Sequence, residues 1–211
     1  FEQLSVLGGQ LRFGIPESRL PKDVLEKEIA NIVNLGIKVN RDIAVDSKLF
    51  EIIKDCYDAI FIAVGLQKSR KLGIEGEDNL NVFYGLDFLK DVNLGVKVNL
   101  GKKIVVIGGG NVAIDVARTV KSLGSKISIF YRRTKAEMPA IKEDAVLAEK
   151  EGVEIEELLS PVRIFSKFGA SFIEFQRNQL GEPDESGRKK PLPIDSFRIE
   201  RFDSLIVAIG E

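Results

Sequence analysis

The stretch Lys103-Ile-Val-Val-Ile-Gly-Gly-Gly-Asn-Val-Ala113 constrains the fold of this chain more than any other. Ile104 to Ile107 is an unbroken branched apolar run, the pattern of a parallel strand covered on both faces. Gly108, Gly110 and Ala113 then fill the G-x-G-x-x-G/A spacing. In that spacing the first glycine allows a tight turn, the second lets the backbone approach a pyrophosphate, and the small third residue lets helix and strand pack closely. A helix is expected from Asn111 to about Leu123, because Val112, Val116, Ala117, Val120 and Leu123 recur at helical spacing and Gly124 stands in the C′ place. Its N-terminal N–H groups and positive dipole end suit phosphate. A second strand, Lys126 to Tyr131, completes a βαβ start. Gly108, Gly109, Gly110, Asn111, Val112 and Asp115 are the candidate pyrophosphate residues.

The end of that second strand decides which dinucleotide fits. About 20 residues past the glycines, a site for NAD carries Asp or Glu for the ribose 2′-OH, and a site for NADP carries Arg. This chain has Arg132 and Arg133 there, and no acid. A guanidinium grips a 2′-phosphate bidentately, whereas a carboxylate repels it. Both arginines are therefore candidates for the 2′-phosphate.

Composition excludes several other classes. The 31 Lys+Arg and 32 Asp+Glu give a net charge of −1, which offers no electrostatic case for nucleic acid or an anionic membrane surface. No apolar run approaches the roughly 20 residues that span a bilayer. Cys56 is the single cysteine, so there is no intrachain disulfide, and one thiol cannot hold an iron–sulfur cluster. With no histidine, Ser-His-Asp hydrolysis and His-metal sites are out, and no metal site is expected. Hydride transfer survives these exclusions because the cofactor carries that chemistry.

A repeat gives the organisation. Tyr57-Asp-Ala-Ile-Phe-Ile-Ala-Val-Gly65 and Phe202-Asp-Ser-Leu-Ile-Val-Ala-Ile-Gly210 share an aromatic, Asp, a small residue, an apolar strand and Ala-x-Gly. Each reads as the last strand of a dinucleotide-binding unit, with Ala63-Val64-Gly65 and Ala208-Ile209-Gly210 beside a cofactor. The second copy, from Lys103, has its glycine turn. The first has none, and Phe1-Glu2 matches the strand end Phe130-Tyr131-Arg132. Glu2 would then hold a ribose 2′-OH, and the expectation is that roughly 30 residues, a strand, glycine turn and helix, would precede Phe1.

The remaining elements follow from punctuation. Gly8-Gly9 and Phe13-Gly14-Ile15-Pro16 read as a glycine-rich loop. Pro21 opens a helix whose Val24, Leu25, Ile29, Ile32 and Val33 share a face, closed by Gly36. A short strand is expected at Ile37 to Val39, a short helix around Leu49, Ile52 and Ile53, and a strand at Ala59 to Val64. Leu66 to Leu100 reads as a polar connection with one short helix near Leu86 to Val92. Beyond the second strand, Ala140 to Glu151 reads as a helix. Val162 to Lys167 and Ser171 to Asn178 form a hairpin around Phe168-Gly169-Ala170, and Gln179 to Asp195 reads as a polar loop.

The chain resembles the small (beta) subunit of NADPH-dependent glutamate synthase, one of the pyridine-nucleotide flavoproteins with two dinucleotide-binding domains. The matching segments are Gly8 to Pro16, Arg19-Leu-Pro-Lys22, Tyr57 to Gly65, Gly108 to Arg118, Tyr131-Arg-Arg133, Glu137-Met-Pro-Ala140 and Leu180-Gly-Glu-Pro-Asp-Glu-Ser-Gly187. They also resemble the large subunit of NADH-dependent ferredoxin:NADP oxidoreductase, sulfide dehydrogenase subunits and the electron-input half of dihydropyrimidine dehydrogenase. The resemblance implies an α/β fold of two Rossmann-like units. A partial FAD-binding domain would span 1–99, an NADP-binding domain with an inserted β-hairpin or meander 100–205, and a return strand 206–211. It implies that NADPH gives a hydride to FAD, with electrons passing to iron–sulfur clusters of a partner, a large subunit or iron–sulfur domain, in the cytoplasm. It also implies that Glu2, Gly9, Leu11, Arg12, Gly14, Ala63, Val64 and Gly65 line the FAD, with a strand near Val45 beside the adenine. The FAD site is expected to be incomplete in this chain, so that an NADP-binding module without turnover of its own is an alternative.

Overall fold

Two stretches of the chain, Phe1–Gln67 and Lys68–Glu211, each gather around their own buried residues in the computed structural model. All structural statements concern residues 1–66 and 68–210. The division falls at the start of the connection expected over 66–100, so most of that connection belongs to the second unit. Gln67 and Glu211, the latter in the expected return segment, lie outside the described residues.

The first unit holds α1 (Gly9–Phe13), α2 (Lys22–Val33) and α3 (Ser47–Cys56). Its buried apolar residues are Phe13, Leu25 and Ile53, one per helix. Pro21 caps α2 with φ fixed at −57°, as the sequence suggests. Asp46 caps α3 by accepting the Leu49 N–H at 2.8 Å. The glycine-rich loop is corrected to a short helix: Gly8, at φ 120°, lets α1 sit on Leu25 and Ile29 of α2, where a side chain would press within 3.3 Å of both. Lys22 ties the following turn down by donating to the Arg12 and Ile15 carbonyls at 2.6 and 3.0 Å.

The strands expected at Ile37–Val39, near Val45 and at Ala59–Val64 do not form. A strand is defined by a neighbour that takes its N–H and C=O groups. Glu2 and Leu4 make a few backbone bonds to Asn40, Asp42 and Ile43, short of a ladder. Phe61 is accordingly 91 % exposed, although its sequence is that of a buried strand.

The second unit is built on a parallel sheet. Its strands are β1 (Val82–Tyr84), β2 (Lys103–Ile107), β3 (Lys126–Phe130), β4 (Glu154–Glu156) and β8 (Ser204–Val207), in the order β1-β8-β2-β3-β4. Helices α4 (Gly85–Asn93), α5 (Asn111–Ser122) and α6 (Lys142–Lys150) cover one face. The inserted meander of β5 (Leu159–Lys167), β6 (Ala170–Pro183) and β7 (Lys189–Phe202) covers the other. The two-residue period of the strand sorts the side chains between these layers. Ile104 and Val106 join Val116, Val120, Leu89 and Ala148 on the helical side. Val105 and Ile107 join Leu205, Ile173 and Phe175 on the meander side, where Phe130 stacks on Phe175 with centroids 4.4 Å apart. Burial on both faces explains the lack of alternation that marks Ile104–Ile107 in the sequence.

Two expectations change here. The polar loop at 179–195 is the far part of a hairpin, with Gln179 paired to Leu192 and Leu180 to Pro191. Its prolines are tolerated because β7 pairs with β6 alone and is an edge strand. Strand β1 lies in the segment read as connection and pairs with β8. Of the segment read as a return strand, Ile206 and Val207 are the end of β8, which lies between β1 and β2.

The aspartate of the repeated motif has a structural task in this unit. The Asp203 carboxylate accepts the Lys102 and Lys103 N–H groups, both at 2.9 Å, tying the start of β2 to the start of β8. These two bonds hold its pKa below the ordinary carboxylate value. A carboxyl depressed in the folded state stabilises above its unfolded pKa and loses that contribution as pH falls through the folded one. Asp203→Ala is expected to cost about 1–2 kcal/mol at neutral pH, the lower figure reflecting partial solvent screening. In urea unfolding, the gap between wild type and variant should stay constant from pH 7 to 5 and shrink below about pH 4.

Candidate dinucleotide-binding site

Strand order reverses at β2: the chain leaves it through α5 to β3 on one side, and β8 lies on the other. In open α/β sheets, the crevice beyond the strand ends at such a point takes the ligand. The ends of three strands meet there. Gly108 N–H donates to the Phe130 carbonyl at 3.2 Å, and Ala208 N–H donates to the Ile107 carbonyl at 2.8 Å.

Each glycine of the turn answers a different demand. Gly108 has φ 151°, and a Cβ on it would lie 2.1 Å from the Ala208 carbonyl oxygen and 3.3 Å from Ala113 Cβ. The first fingerprint glycine therefore lets β2 pass beside the end of β8. Gly109 lies under the buried ring of Tyr131, whose atoms would be 2.4–2.9 Å from a Cβ. Gly110 differs from both. It caps α5 in extended geometry, φ −91° and ψ −179°, and nothing lies within 4 Å of where its Cβ would stand. Its exposed backbone face, followed by the first-turn N–H groups of α5, is a cradle that fits a pyrophosphate.

The surrounding segment braces this cradle. Asn111 Oδ1 accepts the Ile141 N–H at 2.9 Å, and Ala140 N–H donates to the Gly109 carbonyl at 3.2 Å. The Glu137-Met-Pro-Ala140 motif is thus laid against the turn. Tyr131 secures it by donating its hydroxyl to the Glu137 carbonyl at 3.0 Å. Val112 is half-buried, and Asp115 is buried in the second turn of α5. Gly85, not singled out by the sequence reading, completes the packing: a Cβ there would meet Val112 at 2.9 Å and Ala208 at 3.2 Å. Ile209 is half-buried against the meander core and Gly210 is exposed.

The two arginines have separate environments. Arg132 is exposed, and its guanidinium makes no hydrogen bond or ion pair among the described residues. Arg133 is 3 % exposed, donates Nε to the Lys189 carbonyl at 2.7 Å and is ion-paired with Asp184. Of the two arginines expected at the 2′-phosphate, Arg133 already has a carboxylate and a carbonyl as partners within the protein, and the guanidinium of Arg132 is open. Sequence reasoning missed Asp184 as the partner. The signal was Asp184-Glu-Ser-Gly187, an aspartate poised to accept from backbone two residues on.

The residues expected to line FAD all lie in the first unit. Glu2 Oε1 accepts the Leu4 N–H at 2.8 Å. Arg12 donates to the Leu7 carbonyl at 2.5 Å and pairs with Glu26 at 3.2 Å. Gly9 begins α1 at φ 49° with open space around it, Leu11 is exposed, and Gly14 closes α1 against Gln10. Val45, Ala63, Val64 and Gly65 are exposed and outside helix and strand, with Gly65 at φ 65°.

A switch-point crevice, a glycine turn that opens a helix and a basic strand end define a dinucleotide-binding α/β protein. Residues 15–210 match the pyridine nucleotide-disulphide oxidoreductase family, and the chain belongs to that family of oxidoreductases. The chain is 41 % identical to the NADP(+)-dependent formate dehydrogenase subunit beta of Moorella thermoacetica, with 100 % of this chain and 31 % of that protein covered. It is 33 % identical to the glutamate synthase [NADPH] small chain of Halomonas elongata, with 100 % of this chain and 47 % of that protein covered. It thus spans less than half the length of each of these relatives. Its fold is that of FprA from Mycobacterium tuberculosis, solved in complex with NADPH, at TM-score 0.81 and 19 % identity over 99 % of this chain and 62 % of that one. Among the described residues no helix is long and apolar enough to cross a membrane.

The glycines predict a split in mutant stability. Gly108→Ala and Gly109→Ala force overlaps with backbone or a buried ring and are expected to cost about 2–4 kcal/mol each. Gly110→Ala meets open space at an allowed φ and is expected to leave the urea midpoint within error of wild type.

Proposed function

We propose that residues 68–211 bind NADP(H) and act as the electron-input module of a larger, glutamate synthase small subunit-like flavoprotein. The observation that carries this reading is the pairing of the open Gly110 cradle with the unpartnered guanidinium of Arg132 on the adjoining strand end. The α5 N-terminus would hold the pyrophosphate. Arg132 would hold the 2′-phosphate, with no carboxylate at that strand end to favour NADH. Gly108 to Val112 supply backbone donors, and Asp115 supports the helix from within. Ala208, Ile209 and Gly210 would flank the nicotinamide side, where a small-residue turn leaves room for a ring.

Glu2, Gly9, Leu11, Arg12, Gly14, Val45 and Ala63 to Gly65 would contribute to an FAD site. Bound NADPH would supply a hydride to that flavin, and electrons would pass to iron–sulfur clusters of a partner subunit or domain in a cytoplasmic assembly. The chain's own part is to bind, orient and select the nucleotide. No imidazole is present to move protons, so the nucleotide and flavin would carry the redox chemistry. Greater likeness to a formate dehydrogenase subunit than to a glutamate synthase chain favours a second reading, in which the same module returns electrons to NADP+. In either reading the terminal partner lies outside this chain.

Calorimetric titration of the chain with NADPH and NADH tests the nucleotide assignment. NADPH is expected to bind at least about tenfold tighter, the worth of one charge-assisted contact. Arg132→Ala should erase that preference with little change for NADH, and Gly110→Ala should weaken both nucleotides by placing a methyl group in the cradle. Equal affinity of the wild-type chain for both nucleotides would overturn the reading.

A further inference from the structure

We propose that Arg133 is a positioning residue for nucleotide selectivity: with Asp184 it latches the β6–β7 hairpin to the end of β3, and this latch aims Arg132 at the 2′-phosphate. The proposal rests on the reading of Arg132 above and gives a task to the Leu180–Gly187 motif, which the binding of pyrophosphate leaves unexplained.

The geometry divides the work between the two oxygens of Asp184. Oδ1 folds the hairpin tip: it accepts the Ser186 N–H at 2.9 Å, the Ser186 hydroxyl and the Arg188 N–H at 3.3 Å. Two backbone bonds of 2.8 Å, Asp184 N–H to Arg188 O and Gly187 N–H to Asp184 O, close the same turn. Oδ2 is left to face outward from the turn and takes Arg133 Nη2. The Ser186 hydroxyl first, and Arg133 with it, holds the Asp184 carboxyl below its ordinary range, so the latch is ionic at neutral pH.

The strand end is gripped at three successive points. Buried Asn178 of β6 donates Nδ2 to the Arg132 carbonyl at 2.9 Å and to Ser160 Oγ at 2.8 Å. The Arg133 carbonyl accepts the Leu158 N–H at 3.1 Å. The Arg133 guanidinium is held by Lys189 O and Asp184. The backbone that presents Arg132 is therefore fixed from the hairpin on one side and β5 on the other. Only the Arg132 side chain is left exposed. Pulling Arg133 out toward a ligand would abandon a carboxylate at the hairpin tip and an enclosed guanidinium site, a cost that a phosphate contact must exceed.

A double-mutant cycle separates positioning from direct contact. Asp184→Asn, Arg133→Met and the double variant are titrated with NADPH and with NADH, beside Arg132→Ala. Each single change is expected to weaken NADPH about 3- to 30-fold and leave NADH within twofold, and the double variant should be no worse than the worse single one. Arg133→Lys, which keeps the charge but not the fork, should recover part of the loss. Asp184 lies at the surface, so Asp184→Asn carries the test even where Arg133→Met fails to fold. If Asp184→Asn leaves NADPH unchanged or tightens it, Arg133 is a direct ligand restrained by Asp184 and the proposal falls. It also falls if both nucleotides weaken equally, because the latch is then only a scaffold. Failure of the underlying reading shows separately, as an Arg132→Ala variant that keeps its NADPH preference.

Discussion

The rest of the second unit depends on the close approach of β2 and β8 at their C-terminal ends. It exists because Gly108 carries no side chain: any Cβ would stand 2.1 Å from the Ala208 carbonyl oxygen. With that approach allowed, Ala208 N–H reaches the Ile107 carbonyl and Gly108 N–H reaches Phe130, so the ends of three strands are tied together. Helix α5 starts just beyond them, and its first-turn N–H groups open on the crevice.

Charge is distributed over the second unit in two different ways. On the meander side, Arg198 lies 5.4 Å above the Phe130 ring and pairs with Glu156 and Glu200, and Lys103 pairs with Glu200. These cations are neutralised locally and hold the meander to the sheet. At the strand end the pattern is asymmetric: Arg133 is neutralised by Asp184, and Arg132 is not. Two adjacent arginines of identical chemistry therefore have opposite fates. In the bend that follows β3, one side chain is buried and its neighbour exposed.

Much of the second unit was legible because its signals are local. The branched run Ile104–Ile107, the glycine spacing and the helical period of Val112, Val116 and Val120 each report on contacts within a few residues. The hairpin turn at Phe168-Gly169 was legible for the same reason, and both residues adopt positive φ. What failed was non-local. Gln179 to Asp195 looked like a loop since Pro191 and Pro193 forbid a central strand, and only the sheet order reveals that β7 is an edge. The strand expected at Ala59–Val64 has the right residues, yet strandedness belongs to a pair, and no ladder is formed over these residues. In the site, Arg132 and the glycines were readable by spacing. The capture of Arg133 by a residue 51 positions away was not.

Asp203 joins backbone that lies 101 and 100 positions earlier, at Lys102 and Lys103. The two ends of the nucleotide-binding segment are therefore clasped together by one side chain. A segment whose ends already touch can be inserted into a host chain without stretching it, since the host sees two neighbouring attachment points. The Tyr57–Gly65 motif repeats the aspartate as Asp58, which is exposed. Modularity of this kind accounts for how one such segment can be shared among enzymes with different terminal chemistry.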